Sequence, residues 1–197
     1  MKSPRLRPKA VIFDLDGTIT RPYLDFAKIR REIGVPDDMM ILDFLDALEG
    51  DALAQARAKV DAWEADGAEA STLNDGVPEL LKLLASRGIP TAVITRNTRR
   101  SVETVMQKHG IRFDAIVAAD DALPVKPSPE PVLHIARELG VDAGETLMVG
   151  DYLFDVACGR AAGATTVFVT NGTEPDDDPG ADVVIASMRE LVDMLGE

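Results

Sequence analysis

The sequence predicts an α/β fold, a doubly wound and mostly parallel sheet carrying a small all-helical cap inserted after its first strand. Three observations lead there. Short apolar runs such as Ala10-Val11-Ile12-Phe13 and Thr91-Ala92-Val93-Ile94-Thr95 alternate with helix-length amphipathic segments, a pattern that implies right-handed crossovers between parallel strands. The first run ends in Asp14-Leu15-Asp16-Gly17-Thr18, which puts polar groups at the strand end where open α/β sheets bind ligands. Residues 20–75 then break the alternation, holding helical periodicity and no strand-like run. The expected organisation is an α/β core of residues 1–19 and 76–197 with residues 20–75 as the cap.

Taken in order, Ala10 to Phe13 is apolar throughout and reads as a strand buried on both faces. In the insertion, Phe26, Ile29, Arg30 and Ile33 recur at helical spacing until Gly34-Val35-Pro36 stops them. A second helix is expected from Asp38 to Leu48, with Met39, Ile41, Leu42, Leu45 and Leu48 on its apolar side. A third, alanine-rich helix spans about Asp51 to Asp66 and includes Val60 and Trp63.

From Asp75 the alternation begins. Pro78 suits the first turn of a helix carrying Leu80, Leu81, Leu83 and Leu84, which Gly88 closes. Thr91 to Thr95 is the next strand, followed by a helix from Thr98 to His109 that Gly110 stops. Ala115 to Ala118 is a third strand. Ser128 is the expected N-cap of the following helix, with Pro129 at its first position and Gly140 at its end. Thr146 to Val149 leads into Gly150-Asp151 and a short helix to about Ala162. Thr165 to Val169 and Val183 to Ile185 complete the strands, and Ser187 with Glu190 reads as a capping box for the last helix. Thr173 to Gly180 reads as an exposed acidic loop.

The bulk numbers narrow the function. A chain of 197 residues is long enough for one well-buried domain plus a modest insertion. With 21 basic and 34 acidic residues its net charge of −13 disfavours nucleic acid or an anionic membrane surface as partner. An anionic substrate then needs local cations. The single cysteine, Cys158, excludes an internal disulfide and fits a reducing compartment. The basic start runs straight into Asp14 without a signal h-region, and no stretch approaches the ~18 apolar residues of a membrane span. The expected location is the cytoplasm.

The strand ends carry the chemistry. Asp14 and Asp16, two apart, fall on one side of an extended chain, and Gly17 permits a sharp exit. Close carboxylates repel, and one is forced neutral unless a cation sits between them, which points to Mg²⁺. Taken alone, the pair is equally compatible with capping a turn or helix, so the other strand ends decide. Thr95, Arg96 and Asn97 follow the second strand, Lys126 arrives after the third, and Asp151 and Asp155 follow the fourth. Together they supply a carboxylate nucleophile, a second carboxylate for proton transfer, a hydroxyl and an ammonium to grip an anion, and acids for a hard cation.

FDLDGT, a Thr ending the second strand, Lys126 in KPSPEP, and GDYLFD resemble, in kind and order, the four motifs of the haloacid dehalogenase-like hydrolase superfamily, in its phosphatase branch and similar to phosphoglycolate phosphatases. The resemblance covers residues 9 to about 20 and 75 to about 190. It implies a Rossmann-like core, with Asp14 forming an aspartyl-phosphate and Asp16 acting first as acid and then as base. It further implies that Thr95 and Lys126, with backbone amides near Gly17 and Asn97, hold the phosphoryl oxygens; Arg96 is set beside them by its position after Thr95, within reach of substrate or cap. Mg²⁺ would bridge Asp14, the Asp16 carbonyl and Asp151, while Asp155 either orients Lys126 or ligates the metal. True dehalogenases of the family lack a carboxylate at the position of Asp16, so its presence favours phosphoryl transfer.

The implied substrate is a small phosphorylated metabolite, and the protein a monomer or homodimer. A phosphosugar mutase of the β-phosphoglucomutase kind is the alternative enzyme, and a non-catalytic receiver-like module the alternative of another class. Elsewhere the ordinary readings lead: His109 and His134 as helix-surface histidines, Cys158 as a packing residue, Met39 and Met40 as filling of a cap core. Lys28, Arg30 and Arg31 read as a solvated face, and Tyr23 and Trp63 as packing near the entrance.

Overall fold

The computed structural model describes residues 6–22, 26–36, 39–175 and 177–196. Tyr23 and Asp38, and Asp176 of the acidic loop, lie outside the described residues, as does the side chain of Phe26. Six strands form one sheet: β1 (Ala10–Phe13), β2 (Thr91–Ile94), β3 (Ala115–Val117), β4 (Thr146–Gly150), β5 (Thr165–Val169) and β6 (Val183–Ile185). Their order is β3-β2-β1-β4-β5-β6 and every pairing is parallel. The order reverses between β1 and β4, and the crevice beyond the carboxyl ends at such a switch is where ligands bind in this architecture.

Helices α1 (Phe26–Ile33), α2 (Ile41–Asp46) and α3 (Gly50–Ala70) occupy the insertion, and α4 (Val77–Ser86), α5 (Arg99–His109), α6 (Glu130–Leu139), α7 (Leu153–Ala162) and α8 (Met188–Gly196) flank the sheet. Strand alternation explains the two layers. Val11, Phe13 and Val93 face Leu80 and Leu84 of α4, Val102 and Val105 of α5 and Leu191 of α8. Ile12, Ala92, Ile94 and Met148 face Val132 and Ile135 of α6 and Cys158 of α7. The insertion has its own small apolar cluster of Ile29, Leu45, Ala56 and Val60, with Trp63 packed against it. Helix α3 joins the two, since Ala68 near its end belongs to the main core.

Both connections to the insertion lie side by side. Thr20 bridges Leu73 in antiparallel fashion, the Arg21 N–H donates to Thr72 O at 2.9 Å, and the Asn74 N–H donates to Ile19 O at 2.9 Å.

Several boundaries depart from the sequence reading. α2 starts at Ile41 and stops at Asp46, because Met40 is extended and the chain must reverse into α3 through an extended Glu49. α3 runs on to Ala70, since nothing in its alanine-rich end breaks it. α6 begins at Glu130 with Pro131 in its first turn, and Ser128 Oγ accepts the Glu130 N–H at 3.3 Å from just before the helix. Glu190 reaches back to the Ala186 N–H at 2.9 Å, one residue short of a capping box on Ser187.

Gly159 of α7 lies so close to the sheet that a Cβ would come within 2.7 Å of Thr166 Cγ2 and 2.8 Å of Met148 Cβ. Gly159→Ala is expected to lower stability by about 1–3 kcal/mol through overpacking. A thermal melt should show a fall of roughly 2–4 °C for each kcal/mol.

Candidate active site

Asp14 directly follows β1, and its N–H donates to Val149 O of β4 at 2.9 Å, so the sheet itself fixes its backbone. Its Oδ1 accepts from Lys126 Nζ at 2.5 Å, and the same ammonium donates to Asp155 Oδ1 at 2.6 Å. Burial alone would push the Lys126 ammonium down, but Asp14 and Asp155 more than offset it and hold the pKa above its ordinary value. Lys126 is therefore charged. Asp155 Oδ2 accepts the Tyr152 N–H at 3.1 Å, so both its oxygens are engaged at the start of α7. A Cβ on Gly150 would sit 2.2 Å from Asp155 Cγ, and only glycine lets the carboxylate pass.

Beyond Asp14 the chain turns tightly, with Leu15 O accepting the N–H groups of Ile19 and Thr20, each at 2.9 Å. Gly17 sits in this turn at φ +80°, and a Cβ there would lie 1.9 Å from Asp151 Oδ2. Asn74 Nδ2 and Asn171 Nδ2 both donate to Gly17 O, at 2.9 and 2.7 Å. Thr18 Oγ1 donates to Asp151 Oδ1 at 3.1 Å. Asp16 accepts from Thr20 Oγ1 at 3.1 Å and from Asn97 Nδ2 at 2.5 Å. Burial pushes the Asp16 carboxyl up; the Asn97 bond pulls against that, and Asp14 adds to the rise.

Asp14, Asp151 and Asp155 bring carboxylate oxygens within 4.8 Å of one another. Burial, then the charges of Asp14 and Asp155, push Asp151 up to about 7, and burial raises Asp155 as well despite Lys126. Three close acids thus exceed what one ammonium offsets. An all-oxygen donor set with surplus negative charge fits a hard dication. Asp155 is committed to Lys126 and the Tyr152 amide, which leaves Asp14 and Asp151 as the freer ligands.

A cavity of about 410 Å³ opens over these groups. Asp14, Asp16, Thr95, Arg96, Asn97 and Asp151 line it from the sheet side, and Ile29, Arg30, Met40, Val60 and Glu64 from the insertion. Thr95 is fixed by its N–H to Val117 O at 2.9 Å, and its Oγ1 accepts the Asn97 N–H at 3.1 Å. The Arg96 guanidinium lies 5.1 Å from the Phe154 ring centroid, and burial lowers its pKa. The strand-end residues named from the sequence therefore do meet in one place.

Other expectations are refined. Met40 lines the cavity and does not join the insertion's apolar cluster. Arg30 also lines it, with its guanidinium donating to Met39 O at 2.7 Å and Pro36 O at 2.5 Å. Lys28 sits 4.4 Å over the Trp63 ring, whose Nε1 donates to Glu32 Oε2 at 2.9 Å. His109 Nε2 lies 3.0 Å from Ser71 Oγ, and the buried Cys158 thiol donates to Ser128 O at 2.9 Å. Sequence reasoning missed Glu64. Its signal was present, because Ala56, Val60, Glu64 and Ala68 recur every fourth residue, placing one acid in a buried stripe.

A family model described as haloacid dehalogenase-like hydrolase matches residues 20–169. The N-acetylmuramic acid 6-phosphate phosphatase of Pseudomonas aeruginosa is 34% identical, over 97% of this chain and 96% of its own. The phosphoglycolate phosphatase of Chromobacterium violaceum is 33% identical, over 95% of this chain and 96% of its own. Among solved structures, CbbY from Rhodobacter sphaeroides in complex with phosphate shares the fold with a TM-score of 0.74, covering 96% of this chain and 100% of that one at 24% identity.

Adding Mg²⁺ to chelator-treated protein is expected to raise Tm, since a ligand at 100 times its Kd contributes about 2.7 kcal/mol, or roughly 5–10 °C for a chain of this size. Asp151→Asn should weaken that rise at least tenfold in apparent affinity, about 1.4 kcal/mol. Protons compete for the same raised carboxylates, so affinity should grow from about pH 6 to about pH 8. Scanning calorimetry checks the first and titration calorimetry the other two.

Proposed function

The chain belongs to the haloacid dehalogenase-like hydrolase family, and on that premise we propose that it is a Mg²⁺-dependent phosphatase acting on a small phosphate monoester through an aspartyl-phosphate on Asp14. The observation that carries this reading is the pairing of two differently held carboxylates on one cavity floor. Asp14 is gripped through one oxygen by Lys126, and Asp16 is held by Asn97 and Thr20. Two carboxyls in unlike environments take unlike roles.

In this reading the free oxygen of Asp14 attacks phosphorus in line as the bond to the alcohol oxygen breaks. Asp16, whose carboxyl burial favours in the protonated form, gives its proton to the departing alkoxide. It then takes a proton from the water that attacks the acyl phosphate, and inorganic phosphate leaves with Asp14 restored. Thr95 Oγ, Lys126 and the amides near Gly17 and Asn97 hold the phosphoryl oxygens, with Arg96 adding positive charge at the same wall. Mg²⁺, held by Asp14, Asp151 and the Asp16 carbonyl, would supply charge neutralisation to the phosphoryl group.

Magnitudes support the combination. Accelerations of phosphate-monoester hydrolysis reach ~10²¹, while one general acid or base contributes only about 10²–10⁴. Covalent catalysis and electrostatic stabilisation must supply the rest. Residues 20–75 serve as the cap, closing on the cavity and excluding water. The named activities of the relatives support a small phosphorylated metabolite as substrate, and the cytoplasm is the compartment this reading assigns to it.

Phosphate release from a panel of phosphorylated metabolites is the direct test. Asp14→Asn should abolish it with the fold intact by circular dichroism, Asp16→Asn should slow it by about 10²–10⁴, and a chelator should stop it. Release that persists in Asp14→Asn would exclude that nucleophile.

A further inference from the structure

Glu64 has no part in the chemistry above, yet it is 8% exposed and lines the same cavity from the insertion side. Its Oε2 accepts the Thr98 N–H at 2.9 Å. The Thr98 hydroxyl is taken up with Ser101, 3.0 Å from Ser101 Oγ and accepting the Ser101 N–H at 3.4 Å. No lysine or arginine pairs with Glu64 among the described residues, and the charges that act on it, Asp61 and Asp16, are both negative. Burial first, then these two acids, push its carboxyl up to about 7 against the pull of the Thr98 N–H and, more weakly, the Thr98 hydroxyl.

Thr98 is the N-cap of α5 through its hydroxyl, and Glu64 supplies the other half of a capping box by accepting the Thr98 N–H with Oε2. That bond engages one carboxylate oxygen and sets the direction of the carboxyl. The second oxygen is left with the cavity as its open side, and a buried acid with part of its hydrogen-bonding capacity unmet is costly. With phosphate held on the floor by Thr95 and Lys126, that opening faces the alcohol portion of the ester.

Resting on the phosphatase reading above, we propose that Glu64 is the specificity-determining residue of this cavity and receives a hydrogen-bond donor, a hydroxyl or an ammonium, carried on the alcohol portion of a small phosphate monoester. A donor there completes the acid's hydrogen bonds. An ester whose alcohol portion ends in a carboxylate meets like charge and is selected against.

Binding tests this apart from turnover. In the Asp14→Asn background, where no ester is consumed, calorimetry at about pH 8.5, where the raised Glu64 carboxyl is ionised, compares glycerol 3-phosphate and phosphoethanolamine with propyl phosphate and phosphoglycolate. At least one of the first pair should bind about 10–100-fold more tightly than propyl phosphate, the span of one hydrogen bond to a charged group, and phosphoglycolate should bind most weakly. Glu64→Gln keeps the shape and the acceptor for Thr98, and it should erase most of that ratio. Should that variant not fold, Glu64→Asp, which withdraws the carboxylate by one methylene, must reduce the ratio in the same way.

Equal affinities, a preference that survives both substitutions, or no binding of any ester overturns the proposal. So does a uniform weakening across all four esters, which is what a strut between α3 and α5 would give. A protein that shows the predicted ratio yet releases no phosphate refutes the phosphatase reading and leaves the role of Glu64 standing.

Discussion

The ammonium of Lys126, sealed between Asp14 and Asp155, is the contact on which the strand-end edge depends. Asp14, Asp16, Asp151 and Asp155 crowd that edge in a chain already carrying a net charge of −13. Removing one partner of a buried ion pair leaves an uncompensated charge and costs about 3–5 kcal/mol. Each of the other acids has its own donors: Asn97 and Thr20 for Asp16, Thr18 for Asp151, the Tyr152 amide for Asp155. The arrangement is satisfied bond by bond while remaining in electrostatic deficit. That deficit is what a hard cation at this edge would offset.

The fold supplies the closeness. Parallel pairing of β1 with both β2 and β4 brings three strand ends side by side, and two glycines let carboxylates approach backbone more closely than any side chain would allow. Gly17 admits Asp151, and Gly150 admits Asp155. At Gly17 the requirement is doubled, because the positive φ is also one that L side chains rarely adopt.

The strands were legible because their apolar runs are short and bounded by glycine, proline or charge, and the strand-end residues were legible because topology sends all parallel strand ends to one edge. Helix ends were less so. Met40 and Glu49 are extended for reasons of chain reversal that periodicity does not record, and Pro131 competes with Pro129 for the first turn of α6. Glu64 was harder to see in another way. Charges in an alanine-rich helix ordinarily face water, and the spacing of four that links it to Ala56, Val60 and Ala68 gains its meaning from the course of α3, which runs from the insertion's apolar cluster into the main core.

The paired connections at Thr20 and Leu73 carry a consequence for how such a protein diversifies. Because both crossings are held together by the sheet-side domain, the ends of the insertion are already closed before its sequence is specified. The entropy of closing a segment grows only slowly with its length, by about 0.6 kcal/mol for each doubling. The part of the segment that stays clear of the main core, from the first crossing to the start of α3, is thus free to lengthen or shorten, while the register of β1 against its neighbours is untouched and the end of α3 stays anchored on the core.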